Sequence, residues 1–364
     1  MSENKNGAAR AHRLQPEQII AALERWLPTR LDGEPVTVSN LIAPTGTGFS
    51  NQTVLFRARW RDTETDLVLQ AAPQGEGLFA RYDFASMARA QQQVRATSSV
   101  PVAPVRWFEM DCSVLGVPFY VMDRVAGQAP TDRPPYHREG WFADLSAPEQ
   151  TQIWWSGIEA MAKLHALDVR ADGFAFLQDT PWGMPAQADA GRTRLRQWRE
   201  FLDWADPEPL RIVLDAFDEL ERTCPAPQPL RVHWGDAKLS NCMVDSGRVS
   251  ALLDWELCGL SVPEEDVTHW LMLDWSLWAV GGATRLSSLP DAARTLDRYQ
   301  TLSGRELQAP LWWWRFGLVR LAIIYHRILT LLRRRGKIAA EKTLAAANPI
   351  TPFIAPLFEK DVLP

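Results

Sequence analysis

The sequence predicts an α+β fold in two lobes: a small antiparallel-sheet N-lobe over residues 1–125 and a larger, mainly helical C-lobe over residues 126–364. Three observations carry that expectation. Alternating apolar runs cluster before residue 125, and helical periodicity dominates after about residue 148. A chain of 364 residues that is 46% hydrophobic is also long enough to bury two cores. No internal repeat or low-complexity linker is apparent.

The elements follow in order. An amphipathic helix is expected over about 16–27, with Ile19, Ile20, Leu23 and Leu27 on one face. Alternating runs at 36–41, 53–60 and 66–71 read as strands, 84–96 as a helix, and 105–109 and 118–124 as further strands. Beyond them the periodicity predicts helices over 148–168, 190–204, 207–223, 263–280, 290–302 and 310–336. The last begins Leu311-Trp312-Trp313-Trp314, but Arg315, Arg320, His326 and Arg327 interrupt it, which argues against a membrane span. Its end, Arg333-Arg334-Arg335-Gly336, places cations at the negative pole of the helix and a glycine just past it.

Composition narrows the function classes. A net charge of −5 implies no general attraction to nucleic acid. The four cysteines (Cys112, Cys224, Cys242, Cys258) lack metal or disulfide-framework spacing, which predicts a reducing, cytoplasmic setting. The polar opening from Met1 to Gly7 is followed by no apolar h-region, so a frayed tail is expected there and no secretory signal. Fourteen of the 17 tryptophans lie after residue 140; core packing is the expectation for most, with a few left to line an apolar or ring-shaped substrate pocket.

The chemistry concentrates in His233-Trp234-Gly235-Asp236-Ala237-Lys238-Leu239-Ser240-Asn241 and in Leu252-Leu253-Asp254-Trp255-Glu256. Asp236 to Asn241 reads D-x-K-x-x-N, in which the acid orients a hydroxyl and the amide holds a metal during phosphoryl transfer. Asp245-Ser246-Gly247 is a turn signal between two apolar runs. A two-residue loop at Ser246-Gly247 would set Asn241 opposite Leu252 and make Asp254 a diagonal neighbour of Asn241, about 7 Å away. Two oxygen ligands would then converge at the end of a rigid hairpin, which suits Mg²⁺. Asp and Asn are individually common as caps and turn formers; the combination is what points to phosphoryl transfer.

These stretches resemble the aminoglycoside phosphotransferase and choline kinase-like family, whose pattern is H-G-D-x-x-x-x-N followed by I/L-D-W-E. The resemblance covers most of the chain. It takes in Thr45-Gly46-Thr47-Gly48-Phe49-Ser50-Asn51, the segment Phe119 to Gly127, and Leu164-His165. It is closest to a bacterial branch related to the kinase-like domains joined to some acyl-CoA dehydrogenases. The resemblance implies a bilobal protein-kinase-like fold, a site in the cleft between lobes, and transfer of the γ-phosphoryl of ATP (GTP not being excluded) to a hydroxylated small molecule.

It also implies roles. Asp236 is the catalytic acid–base and Lys238 neutralises the transferred phosphate. Asn241 and Asp254 hold Mg²⁺, and Glu256 either supports that metal or caps a turn. Gly46, Gly48 and Ser50 form a flap over the nucleotide phosphates. Met122, Asp123 and Val125 read the adenine edge through their main chain. His165 packs near the catalytic loop. Three departures stand out. Trp234 occupies the position of the family's His, displacing His233 by one. Gln70 stands at the expected basic position on the third strand, and Met87 near its expected Glu partner. Phosphate charge must then fall to Mg²⁺, Lys238 and arginines such as Arg57 or Arg81, or else the chain binds nucleotide without catalysis. The retained Asp236, Asn241 and Asp254 favour a working small-molecule kinase. For the acceptor, a hydroxyacyl-CoA is one candidate; an aminoglycoside or macrolide is the alternative, with Glu264-Glu265-Asp266, Asp203 and Asp206 supplying some acidity.

Overall fold

In the computed structural model, residues 15–43, 51–205, 210–338 and 343–364 are described. Two compact units result, one of residues up to Phe79 together with Val105–Arg124, the other of Ala80–Pro104 together with Val125–Pro364. The tail before residue 15 and the flap residues Gly46, Gly48 and Ser50 lie outside the described residues, as does Asp206.

The first unit opens with α1 (Pro16–Trp26) and carries strands β1 (Thr37–Ile42), β2 (Gln52–Trp60), β3 (Thr63–Ala71), β4 (Val105–Glu109) and β5 (Phe119–Asp123). They form an antiparallel sheet in the order β1-β2-β3-β5-β4. The predicted face of α1 closes one side of it. Ile19, Leu23, Trp26 and Leu27 pack with Val54, Phe56, Leu67, Leu69, Phe119 and Val121 in one apolar core. Side chains alternate across a strand, so the residues between these, such as Arg57, face the other way.

The second unit holds α2 (Phe84–Thr97), α3 (Ala147–His165), α4 (Ala190–Ala205), α5 (Arg211–Arg222), β6 (Arg231–His233), β7 (Cys242–Asp245), β8 (Arg248–Leu252) and β9 (Gly259–Ser261). Helices α6 (Pro263–Ala279), α7 (Ala292–Ser303), α8 (Pro310–Arg334), α9 (Leu344–Ala347) and α10 (Thr351–Phe358) complete it. Helix α8 is its central post, packed against α4, α5, α6 and α10. Its buried face includes Trp313, Trp314, Phe316, Leu318 and Ile323, and it ends as its sequence predicts, with Gly336 in the left-handed region just beyond Arg334. No described helix is long and apolar enough to cross a membrane. Eleven of the 17 tryptophans are buried, seven of them fully, among these Trp154, Trp234, Trp255 and Trp270, so core packing accounts for most of them. All four cysteines are free.

Two small sheets position the motif residues. Strands β6 and β9 pair antiparallel, His233 opposite Gly259, and β7 and β8 form the expected hairpin. Its loop is Ser246-Gly247, both at positive φ (49° and 73°), as a tight hairpin turn requires. The register beyond it differs from expectation. Val244 faces Val249, but Met243 faces Ala251 and Cys242 faces Leu252, so Ser250 is an extra, bulged residue.

Candidate active site

The Ser250 bulge moves Asn241 from its expected partner Leu252 to Leu253, whose N–H donates to the Asn241 carbonyl at 2.8 Å. Strand β8 ends at Leu252, and Asp254 takes a left-handed conformation with φ +58°. The diagonal-neighbour geometry derived from strand alternation therefore does not apply. Asp254 leaves the hairpin by a backbone turn, which asparagine and aspartate tolerate better than most residues.

The loop after β6 carries the remaining motif residues. Gly235 has φ +98°, and a Cβ there would lie 2.3 Å from the Leu257 carbonyl oxygen, so only glycine permits this approach. A single helical turn, Leu239–Asn241, then returns the chain into β7. Across that turn Asn241 donates its Nδ2 to the Asp236 carbonyl at 3.0 Å and to Asp236 Oδ2 at 2.7 Å. Lys238 Nζ lies 3.3 Å from Asp236 Oδ2 and 3.3 Å from Asp132 Oδ2. Asp236, Lys238 and Asn241 are thus joined through one carboxylate.

The electrostatics follow from that crowding. Burial works against the charge of Lys238, but Asp132, Asp236 and Asp254 outweigh it and hold its pKa above the ordinary lysine value. Burial would raise the pKa of Asp236, but Lys238, His269 and Arg320 bring it below the usual carboxylate range. Asp254 goes the other way. Burial and the negative charge of Asp236 push it up to about 6, against the pull of Lys238 and the Glu256 N–H. Three carboxylates share one ammonium, an excess of negative charge that a divalent cation would relieve. The Asn241 Oδ1 and the Asp254 carboxylate could supply oxygen donors to it. Among the described residues no cluster of three or more His, Cys, Asp or Glu is arranged to hold a metal. Mg²⁺ held by one or two side chains and by substrate phosphates needs none.

Behind the loop lies a network that sequence reasoning assigned differently. Glu264, Glu265 and Asp266, read as a possible acidic acceptor surface, are all buried in the first turn of α6. Asp266 accepts the main-chain N–H of Trp234 at 2.8 Å and of Gly235 at 2.9 Å, and its Oδ2 lies 3.1 Å from both His165 Nε2 and His233 Nδ1. His165 and the displaced His233 are therefore braces of the loop. Glu265 pairs with Arg194 at 2.8 Å. Arg320, from α8, lies 3.6 Å from Glu265 and donates to the Gly235 carbonyl. Trp234, where the resemblance expects His, sits fully buried with its indole N–H on the Leu253 carbonyl at 2.7 Å, tying the loop to the hairpin.

His269 was missed. One helical turn after Asp266, it brings Nε2 to 3.3 Å from Asp236 Oδ1. The signal for it existed: residues three apart on a helix share a face, so a helix bracing the loop through Asp266 also presents position 269 to it.

In the first unit, Gln70 donates its Nε2 to Thr53 Oγ1 at 3.0 Å. Arg57 is held by Asp66 at 2.7 Å and Glu64 at 3.2 Å, so it is already neutralised. Met122 is buried, paired to Val68 on one side and Val105 on the other. Asp123 pairs with Leu67, and its carboxylate binds Arg106. In the second unit, Met87 is a core residue of α2, and Arg81 is exposed.

Comparison with known proteins places this geometry. The chain is 29% identical over 180 residues to acyl-CoA dehydrogenase family member 11 of Mus musculus, a match covering 46% of this chain and 20% of that protein. It thus spans about a fifth of that relative's length. Among solved structures, a candidate aminoglycoside phosphotransferase from Ralstonia eutropha superposes with a TM-score of 0.69 at 23% identity, covering 93% of this chain and 95% of its own. A thermostable mutant of aminoglycoside phosphotransferase APH(4)-Ia, in ternary complex with ADP and hygromycin B, gives a TM-score of 0.58 at 16% identity over 93% of this chain and 99% of its own. The fold is that of protein-kinase-like phosphotransferases. The family model described as "Phosphotransferase enzyme family" matches residues 42–313, about three quarters of the chain, and the protein belongs to that family of small-molecule kinases.

Proposed function

We propose that the protein transfers the γ-phosphoryl group of Mg-ATP to a hydroxyl of a small molecule, with a hydroxyacyl-CoA or related metabolite as the acceptor class. The observation that carries this is the joint placement of Asp236, Lys238 and Asn241 on one loop, with Asp254 in electrostatic reach. Asp236, kept ionised, accepts a hydrogen bond from the acceptor hydroxyl, aligns its oxygen for in-line attack and takes the proton late in the transfer. Lys238 offsets charge developing on the transferred phosphoryl group. Asn241 and Asp254 would hold Mg²⁺, which when bound neutralises the β- and γ-phosphate oxygens.

Gly46, Gly48 and Ser50 are proposed as the phosphate flap. Met122, Asp123 and Val125 are proposed to read the nucleotide base by main-chain groups. Val125 supports this, since its N–H and C=O bond to no other described residue. With Gln70 and Met87 in place of an ion pair, and Arg57 engaged by Asp66, phosphate neutralisation rests on Lys238 and the metal. The acceptor class draws on the relationship to acyl-CoA dehydrogenase family members. Burial of Glu264, Glu265 and Asp266 removes the acidic run that would have suited a polycationic aminoglycoside.

The test is a product screen by mass spectrometry with Mg-ATP and hydroxyacyl-CoAs, aminoglycosides, macrolides and amino alcohols. A gain of one phosphoryl mass on a hydroxyacyl-CoA, abolished in Asp236→Ala, is expected. Phosphorylation of an aminoglycoside or macrolide alone would replace the acceptor class. Nucleotide binding without turnover on any acceptor would leave a pseudokinase.

A further inference from the structure

We propose that His269 is a positioning residue for the catalytic carboxylate: its neutral imidazole donates Nε2–H to Asp236 Oδ1 and fixes the plane in which Asp236 meets the acceptor hydroxyl. This role rests on the phosphotransfer function proposed above. Asp236 is held asymmetrically. Its Oδ2 takes the Asn241 amide at 2.7 Å and the Lys238 ammonium at 3.3 Å, while its Oδ1 has a single partner among the described residues, His269 at 3.3 Å. Asn241 and Lys238 would also serve metal and phosphate, Asn241 through its Oδ1, whereas the His269 ring hydrogen-bonds only Asp236 among the described residues.

The ring is built for that task. It is 2% exposed, and it sits against Gly317 of α8, where a Cβ would lie 3.7 Å from Nδ1. Nδ1 meets no hydrogen-bond partner among the described residues. The charged groups facing the ring are Asp236, Asp266 and Arg320. Burial and the Arg320 guanidinium depress its pKa to about 4, against the two carboxylates, so at neutral pH the ring carries one proton. With the proton on Nε2 the ring donates to Asp236, whereas the other tautomer would set a lone pair against a carboxylate oxygen. A neutral donor orients Asp236 without the loss of basicity that an imidazolium would impose. The 3.3 Å separation is long for such a bond, as catalytic hydrogen bonds commonly are before substrate binds.

Two measurements test this. In turnover, His269→Leu should lower kcat roughly 10–100-fold, the worth of one hydrogen bond to a charged group, with KM for ATP unchanged. His269→Gln, whose amide can put an N–H near the same place, should recover most of it. An unchanged kcat in His269→Leu, or a loss that His269→Gln does not repair at all, overturns the role. The second measurement needs no activity. A double-mutant cycle of His269→Leu and Asp236→Asn, read by urea unfolding, should show the unfolding constants coupled by about tenfold or more. Independent effects overturn the contact itself. A wild-type protein that phosphorylates nothing counts against the phosphotransfer function, while the cycle still decides whether His269 holds Asp236.

Discussion

Removing the Asp266 carboxylate should be among the costliest single changes in the chain. Asp266 is 0% exposed and accepts two main-chain N–H groups, those of Trp234 and Gly235, while two histidines face its Oδ2. In Asp266→Ala both N–H groups stay buried without an acceptor, at about 1–3 kcal/mol each, and the histidines lose a partner. A total of about 3–6 kcal/mol is expected, against a typical domain stability of about 5–15 kcal/mol. Urea unfolding followed by tryptophan emission should show a lower midpoint at unchanged slope. Asp266→Asn should cost about half as much, since its amide keeps one acceptor oxygen and turns N–H groups toward a donor. The pH profile has a definite sign. Burial would raise the Asp266 pKa, but His233 and His165 bring it well below the carboxylate range. Its stabilisation is therefore complete above the unfolded carboxyl pKa of about 4 and is lost as pH falls toward the native value. A loss below about 1 kcal/mol in both variants would refute the idea that Asp266 braces the loop.

Two further perturbations probe the same loop and its neighbour. Gly235→Ala meets both a positive φ and a 2.3 Å approach to the Leu257 carbonyl oxygen, so a loss of about 2–5 kcal/mol is expected in thermal unfolding. Asp254→Asn should do the opposite to stability. Its carboxyl is pushed up to about 6 by burial and Asp236, so the native state disfavours its ionised form and loses stability as pH rises from about 4 to 6. An amide removes that burden of about 1–3 kcal/mol at pH 7, while the thermal stabilisation given by Mg-ATP should disappear; a variant that is no more stable and still responds to Mg-ATP would contradict both halves.

How far the sequence could be read depended on the range of the interactions. Long periodic elements were legible: β4 falls at 105–109 as expected, and α4, α6 and α8 start where the pattern starts. The three-residue strands β6 and β9 were not, because three residues carry no period. The hairpin turn was legible because Ser246-Gly247 is a local signal. The bulge at Ser250 was not, having no glycine or proline to mark it, and it changed which residue faces Asn241. The acids of α6 were misjudged for a different reason. A charge run is usually solvated, but these acids meet Arg194, Arg320, His165 and His233, all more than 30 positions away. Only the folded chain brings those cations to the helix start.

The motif region therefore contains two charge systems with different balances, and the difference bears on what the site can do. Behind the loop, Glu265 and Asp266 are matched by Arg194, Arg320 and the two histidines, and main-chain groups of Trp234 and Gly235 complete their hydrogen bonds. Such a network, buried and charge-matched, serves to fix geometry. In front of the loop, Asp132, Asp236 and Asp254 crowd around Lys238, and the misfit shows in Asp254, whose pKa burial and the negative charge of Asp236 push up to about 6. Bound Mg²⁺ would relieve that charge, and Lys238 is then left to meet phosphate. A rear network that fixes the loop, with His269 beside Asp236, and a front cluster short of positive charge would together make a loop whose frame is set before substrate arrives and whose electrostatics metal and nucleotide would complete.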